Sequence, residues 1–190
     1  VMPLAKKMGV NILPVDSEHS AIWQSSDYGR AKDIKGLILT ASGGAFRGMT
    51  KEQLLNVKAK DALKHPTWNM GAKVTIDSST LMNKGLEIIE AKHLFNIPAD
   101  KISVVIHKQS IIHSLVTYND NSVIAELSYP DMRLPIQLAL TYPAKIDSKL
   151  PELDLAKVAT LTFEQPDMQT FPCLAIAIDC AKKGGFHPAV

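Results

Sequence analysis

Apolar and polar positions alternate from 73 to 77, with Val74 and Ile76 between Lys73, Thr75 and Asp77. The period then changes, since Leu81, Leu86, Ile89 and Leu94 recur at helical spacing. The pattern predicts a short strand running into a helix, with Asp77, Ser78 and Ser79 as N-cap residues at the junction. A helix start of that kind offers free backbone N–H groups, hydroxyls and the positive end of the helix dipole, which suit a phosphate. On the predicted helix Thr80, Asn83, Lys84 and Glu87 lie three or four apart, so an amide, an ammonium and a carboxylate share one face. A capped surface helix with solvated charges explains the same residues, and the stretch alone does not choose between the two.

Upstream, residues 1–9 read as the end of an amphipathic helix closed by Gly9, and residues 10–15 as a buried strand. That strand delivers Asp16-Ser17-Glu18, and in extended backbone Asp16 and Glu18 point the same way. Hard divalent cations are commonly held by a few such carboxylates together with substrate oxygens. Asp-x-Glu is a weak motif, however, and an N-cap at Asp16 or Ser17 for a helix over 20–26 accounts for it equally. After a charged loop at 30–35, residues 36–40 form the next expected strand, which ends in Ser42-Gly43-Gly44. Glycines there let N–H groups approach an anion, but the turn lacks both P-loop and dinucleotide-fingerprint spacing.

Residues 51–64 are helical in composition with a break near Val57-Lys58, and 65–71 form an irregular segment around Pro66 and Gly71. Trp68 there either plugs the core from outside or, with His65, belongs to a lid that excludes water from a ligand. Three further strands are expected at 102–107, 114–118 and 122–127, the last two joined by the turn Asn119-Asp120-Asn121. His107 and His113 read as structural histidines. A helix follows from Pro130 to Thr141, then a proline-punctuated stretch with extended pieces at 153–155 and 161–163. An Ala-rich helix over 171–183 ends at Gly184-Gly185. Strands clustered after a long helix predict an α+β fold, a mixed or mostly antiparallel sheet covered on one face by helices.

Charge narrows the partners. With 21 Lys and Arg against 19 Asp and Glu, the chain is too balanced for general nucleic-acid or membrane-surface binding, which leaves small or acidic ligands. Its 190 residues, 46% of them hydrophobic, suffice for one good core. Cys173 and Cys180, seven apart, make neither a disulfide framework nor a zinc ribbon, which fits a reducing cytoplasm. No apolar run approaches a membrane span and no signal-peptide pattern opens the chain. Val1 in place of an initiator methionine suggests a piece of a longer protein.

Several long segments, taken together and in order, resemble one family. They are Leu-Pro-Val-Asp-Ser-Glu-His-Ser-Ala-Ile (13–22), Leu-Thr-Ala-Ser-Gly-Gly-Ala-Phe-Arg (39–47), His-Pro-Thr-Trp-Asn-Met-Gly (65–71), Ile-Asp-Ser-Ser-Thr-Leu-Met-Asn-Lys-Gly-Leu-Glu (76–87), Ile-His-Lys-Gln-Ser-Ile-Ile-His-Ser (106–114) and Pro-Asp-Met-Arg (130–133). The chain is similar to the 1-deoxy-D-xylulose 5-phosphate reductoisomerases. That resemblance implies a metal- and NADPH-dependent rearrangement and reduction of a ketose phosphate, for isoprenoid precursor synthesis by the non-mevalonate route. It implies that Asp16, Glu18 and Glu87 hold Mg²⁺ or Mn²⁺ and, with Lys84, carry the chemistry. Ser17, Ser42, His65, Trp68, Ser78, Asn83 and Lys84 would bind substrate, with His65, Trp68 and Met70 belonging to a flap over it at about 43–72. The family's corresponding domain resembles the catalytic domain of glyceraldehyde-3-phosphate dehydrogenase and pairs two subunits through its sheet. On this reading residues 1–142 are the catalytic and dimerisation domain and 143–190 a linker with the start of a C-terminal region. The N-terminal NADPH domain and the C-terminal helical domain would be missing, so the chain alone would not turn over substrate. Another metal-dependent sugar-phosphate enzyme, such as an aldolase, and a catalytically silent dimerisation module are the competing readings.

Overall fold

The computed structural model describes residues 1–27 and 31–190. Of the charged loop expected at 30–35, Arg30 lies outside the described residues. The chain opens on helix α1 (Met2–Met8), which Gly9 closes in the left-handed conformation at φ 65°. Residues 10–15, expected as a buried strand, join no ladder, and Val10 and Val15 are exposed. Their apolar run is a connector outside the sheet, in which Pro14 is buried and Ile12 and Leu13 are half-buried. Helix α2 (Ser17–Ser25) starts earlier than the sequence suggests, with Asp16 at its N-cap position. Asp16 and Glu18 are therefore a cap and a first-turn residue instead of two positions of one extended strand.

Strand β1 (Ile34–Ala41) is the centre of the sheet. Short helices α3 (Lys51–Leu54) and α4 (Ala59–Ala62) follow, divided where Val57-Lys58 predicts a break. Thr50 and Gln53 form a reciprocal capping box at the start of α3. The alternating stretch at 73–77 is not a strand: it lies in helix α5 (Ala72–Ser79). The Thr75 hydroxyl donates to the Gly71 carbonyl at 2.9 Å and Lys73 pairs with Asp77 at 2.6 Å, so local contacts at helical spacing satisfy this segment. Five alternating residues without a strand partner leave their N–H and C=O groups unmet, and the helix meets them internally. Asp77, Ser78 and Ser79 consequently end α5 and do not cap the next helix. Leu81, buried and left-handed at φ 61°, makes the turn into α6 (Met82–Phe95).

Strands β2 (Ile102–Ile106), β3 (Ile112–Tyr118) and β4 (Val123–Leu127) complete a sheet of order β2-β1-β3-β4. The β1–β2 pair is parallel and the other two are antiparallel, so the sheet is mixed, as the sequence allows. The register places Leu37, Ile102 and Val116 in one lateral row, and Leu39 and Val104 in the next, all facing the core. Helix α2 packs on β3 and β4, and α6 lies against β1 and β2. The opposite sheet face carries Ile38, Val105, Leu115 and Ala125 and is only partly buried.

Helix α7 (Arg133–Thr141) follows β4, and α8 (Leu155–Val158) begins where an extended piece was expected, with the Asp154 side chain accepting from the Lys157 N–H. Residues 161–163, expected as an extended piece, join no strand, and the adjacent Glu164 makes an antiparallel bridge to Ile106. Helix α9 (Pro172–Lys183) packs along α6 and adds Leu174 and Ala181 to the core. No helix among the described residues is long and apolar enough to cross a membrane.

Gly85 sets the α6–α9 spacing, because a Cβ there would lie 2.5 Å from the Ala177 Cβ. Overpacking of that kind costs about 1–3 kcal/mol, against up to about 1 kcal/mol gained from alanine's helix propensity. Gly85→Ala is therefore expected to lower the melting temperature, and Ala177→Gly to restore part of the loss. A thermal melt of the single and double variants checks this; an unchanged midpoint in Gly85→Ala would mean α9 backs away freely.

Candidate metal and substrate site

At one end of the sheet, the end of β1, the start of α2, the α5–α6 joint and the segment around Trp68 enclose a cleft of about 410 Å³. Gly44 brings two of these walls together: at φ 69°, its missing Cβ would lie 2.2 Å from the Ser78 carbonyl oxygen. The loop after β1 thus touches the end of α5 backbone to backbone. Leu81 supplies the sharp joint, a left-handed conformation that costs a non-glycine residue about 1–2 kcal/mol. The bend aims the first two turns of α6 into the cleft.

Asp16, Glu18 and Glu87 each present a carboxylate oxygen within 4.8 Å of the others. Lys84 is buried between two of them, its Nζ donating to Glu18 Oε1 at 2.9 Å and to Glu87 Oε2 at 2.5 Å. Asn83 donates to the other Glu87 oxygen at 2.6 Å, and the Ser17 hydroxyl to Glu18 Oε2 at 2.5 Å. The charge does not balance. Burial and then the nearby Glu18 carboxylate push the Glu87 carboxyl well above the usual range, although the Lys84 ammonium opposes the rise. Burial works against the Lys84 ammonium too, but Glu18 and Glu87 outweigh it and hold the lysine charged. One ammonium among three carboxylates leaves negative charge that a divalent cation would neutralise, and an all-oxygen donor set suits Mg²⁺ or Mn²⁺.

A polar wall faces this cluster. Ser42 accepts from the Gly44 N–H at 3.2 Å and meets His65 Nε2 at 2.9 Å. His65 Nδ1 accepts from the Trp68 and Thr67 N–H groups at 2.9 and 3.2 Å, so the neutral ring carries its proton on Nε2 and donates to Ser42. Burial, and secondarily Arg47, lower its pKa and favour that neutral form. Trp68 and Met70 line the cleft, and Trp68 stands outside the main core, set edge-on to His113 at 6.0 Å between ring centroids. Ser78 lies beside them, carried by α5.

Every residue singled out for metal or substrate thus lines one cleft, with the phosphate-type donors on the walls next to the carboxylates. Further residues line the cleft. His113, expected to be structural, donates to the Ser128 carbonyl at 3.2 Å, in keeping with that reading, and also lines the cleft, as do Ser110 and Met132. Alternation along β3 places His113 on one face without saying what stands opposite. His107 is structural as expected: Nδ1 donates to the Thr162 carbonyl at 2.9 Å, and Nε2 accepts from the Ile111 N–H.

Two family models match the chain: the 1-deoxy-D-xylulose 5-phosphate reductoisomerase C-terminal domain over residues 12–95, and the DXP reductoisomerase C-terminal domain over residues 127–190. Among curated relatives, 1-deoxy-D-xylulose 5-phosphate reductoisomerases of Acetivibrio thermocellus and Chlorobium chlorochromatii are 58% and 60% identical to it over all 190 residues. The chain spans about half the length of these relatives, 50% of each. A solved reductoisomerase of Zymomonas mobilis in complex with NADPH superposes with a TM-score of 0.92 at 41% identity, covering 99% of this chain and 48% of that one. A DOX-P reductoisomerase in complex with NADPH, fosmidomycin and magnesium gives 0.90 at 46% identity, covering 96% and 47%. Likeness this close along the whole chain, in sequence and in fold, places it in the 1-deoxy-D-xylulose 5-phosphate reductoisomerase family.

Proposed function

We propose that this chain is the metal- and substrate-binding part of an enzyme that converts 1-deoxy-D-xylulose 5-phosphate to 2-C-methyl-D-erythritol 4-phosphate with NADPH, in isoprenoid precursor synthesis. The observation that carries the reading is the cluster Asp16, Glu18 and Glu87, buried on one side by Lys84 and open on the other to a cleft of sugar-phosphate size. Asp16, Glu18 and Glu87 hold Mg²⁺ or Mn²⁺, which when bound supplies a Lewis acid at the substrate's oxygens. Ser17 fixes the Glu18 carboxylate, and Asn83 fixes that of Glu87. Ser42, Ser78 and Asn83 bind the substrate's phosphate and hydroxyls, while Lys84 offsets negative charge that develops during rearrangement. Neutral His65 holds the Ser42 hydroxyl toward the cleft.

Residues 43–72 act as the flap, with Trp68 and Met70 as its apolar cover. NADPH falls to the half of the family's length that this chain does not span, and the Ser42-Gly43-Gly44 turn is left to substrate. The partly buried sheet face with Ile38, Val105 and Leu115 supports pairing of two subunits across the sheet, and the cysteine usage supports a reducing cytoplasm.

Three outcomes test this. Glu87→Gln removes one anionic ligand and also one counter-charge of the buried Lys84 ammonium, so Mn²⁺ affinity measured by calorimetry on the folded protein is expected to fall about a hundredfold, roughly 2.7 kcal/mol, and the melting temperature of the metal-free protein to fall as well. Undiminished affinity would end the metal assignment. Trp68→Ala is expected to weaken fosmidomycin binding about tenfold while shifting the melt little, since a cover packs fully only over ligand; a large drop in melting temperature with binding intact would make Trp68 a core plug. The chain alone should bind fosmidomycin only with Mn²⁺ present and leave NADPH absorbance constant. Steady NADPH oxidation by these residues would refute the division of labour between the two halves.

A further inference from the structure

Arg47 folds back over the Ser42-Gly43-Gly44 turn that follows β1. Its Nη1 donates to the Ser42 carbonyl at 2.5 Å, and its stem lies so close to Gly43 that a Cβ there would sit 2.6 Å from the Arg47 Cδ. Gly43, at φ 90°, therefore both adopts the turn and leaves room for the arginine. Arg47 is half-buried and pairs with no carboxylate among the described residues. A guanidinium stays charged at any pH the protein meets, and a carbonyl dipole does not neutralise it.

That charge lies beside the wall that needs it. A divalent ion together with the Lys84 ammonium matches the carboxylates of Asp16, Glu18 and Glu87, so the metal side of the cleft is neutral once loaded. A phosphate ester brings up to about two more negative charges, and the Lys84 ammonium is already engaged by two carboxylates. The facing wall offers only uncharged groups, the hydroxyls of Ser42 and Ser78 and the imidazole of His65. Burial first, and the Arg47 charge second, keep that imidazole neutral, so the field of Arg47 is felt at the Ser42–His65 pair. The contact also orients the turn. In a trans peptide C=O and N–H point opposite ways, so the carbonyl held by Arg47 directs the Gly43 N–H away from the guanidinium. Ser42 and Gly43 both line the cleft, whereas Arg47 stands outside it.

On the reading of the cleft as a metal and sugar-phosphate site, we propose that Arg47 is a positioning residue for the substrate's phosphate. It braces the Ser42-Gly43-Gly44 turn through the Ser42 carbonyl and supplies, without touching the ligand, the positive field that holds a phosphate or phosphonate on that wall.

Calorimetry on Mn²⁺-saturated protein with two ligands tests this: fosmidomycin, which carries a phosphonate as well as a metal-chelating hydroxamate, and acetohydroxamate, which carries the chelating group alone. Arg47→Met, uncharged and close in length, is expected to weaken fosmidomycin about tenfold at low salt and by less at high salt, because the lost interaction is one between charges. Acetohydroxamate and Mn²⁺ affinities should stay within about twofold, and Arg47→Lys, which keeps the charge, should recover most of the fosmidomycin affinity. A turn that is only loosened would produce neither the preference for the phosphonate ligand nor the salt dependence. Equal losses for both ligands that Arg47→Lys does not recover, or unchanged fosmidomycin affinity in Arg47→Met, would overturn the proposal and leave Arg47 a structural brace. Failure of the underlying site has a different signature: the unsubstituted protein would show no Mn²⁺-dependent binding of either ligand, which rejects the phosphate role together with the metal assignment.

Discussion

The buried ammonium of Lys84 is the constraint on which the site depends. It joins Glu18 on α2 to Glu87 on α6, two elements whose residues are far apart in the chain, in an environment with little water. Removing one partner of a buried pair costs about 3–5 kcal/mol, since the remaining charge is left without water or counter-charge. Both helices must therefore stay where the sheet holds them, α2 on β3 and β4, α6 on β1 and β2. The same pair explains why Asn83 and Ser17 point as they do: each satisfies a carboxylate oxygen that Lys84 does not reach.

Close backbone approach builds the rest of the cleft around that pair. Gly44 lets the β1 loop meet the Ser78 carbonyl, Gly85 lets α6 lie on α9, and Leu81 accepts an unfavourable backbone conformation to turn α5 into α6. Strain of that kind persists only where surrounding structure overdetermines it. Here the cost is repaid in geometry: Asn83, Lys84 and Glu87 emerge from the start of α6 directly against the α2 carboxylates. His65, neutral and anchored by its own Trp68 and Thr67 amides, then sets the Ser42 hydroxyl against the opposite wall.

A chain that spans half the length of its relatives accordingly contains a connected carboxylate–ammonium–hydroxyl surface. The side chains of that surface are fixed by contacts internal to the chain.

Much of this was legible in the residues alone. The three strands after α6, the turn at Asn119–Asn121, the break between α3 and α4 and the glycine ends of α1 and α9 follow from local periodicity and turn chemistry, which operate within a few residues. Carboxylates two apart, Ser-Gly-Gly after a strand and Asn-Lys-x-x-Glu on a helix were each nameable as candidates with a bland alternative, and the family resemblance of several segments together, not any one of them, joined them into one site. Alternation at 73–77 misled, since the same five residues satisfy their backbones as a helix when no strand lies beside them. The parallel pairing of β1 with β2, the left-handed Leu81 and the meeting of Lys84 with Glu18 were decided by the tertiary structure. They depend on which distant surfaces bury each other, and no local pattern encodes that.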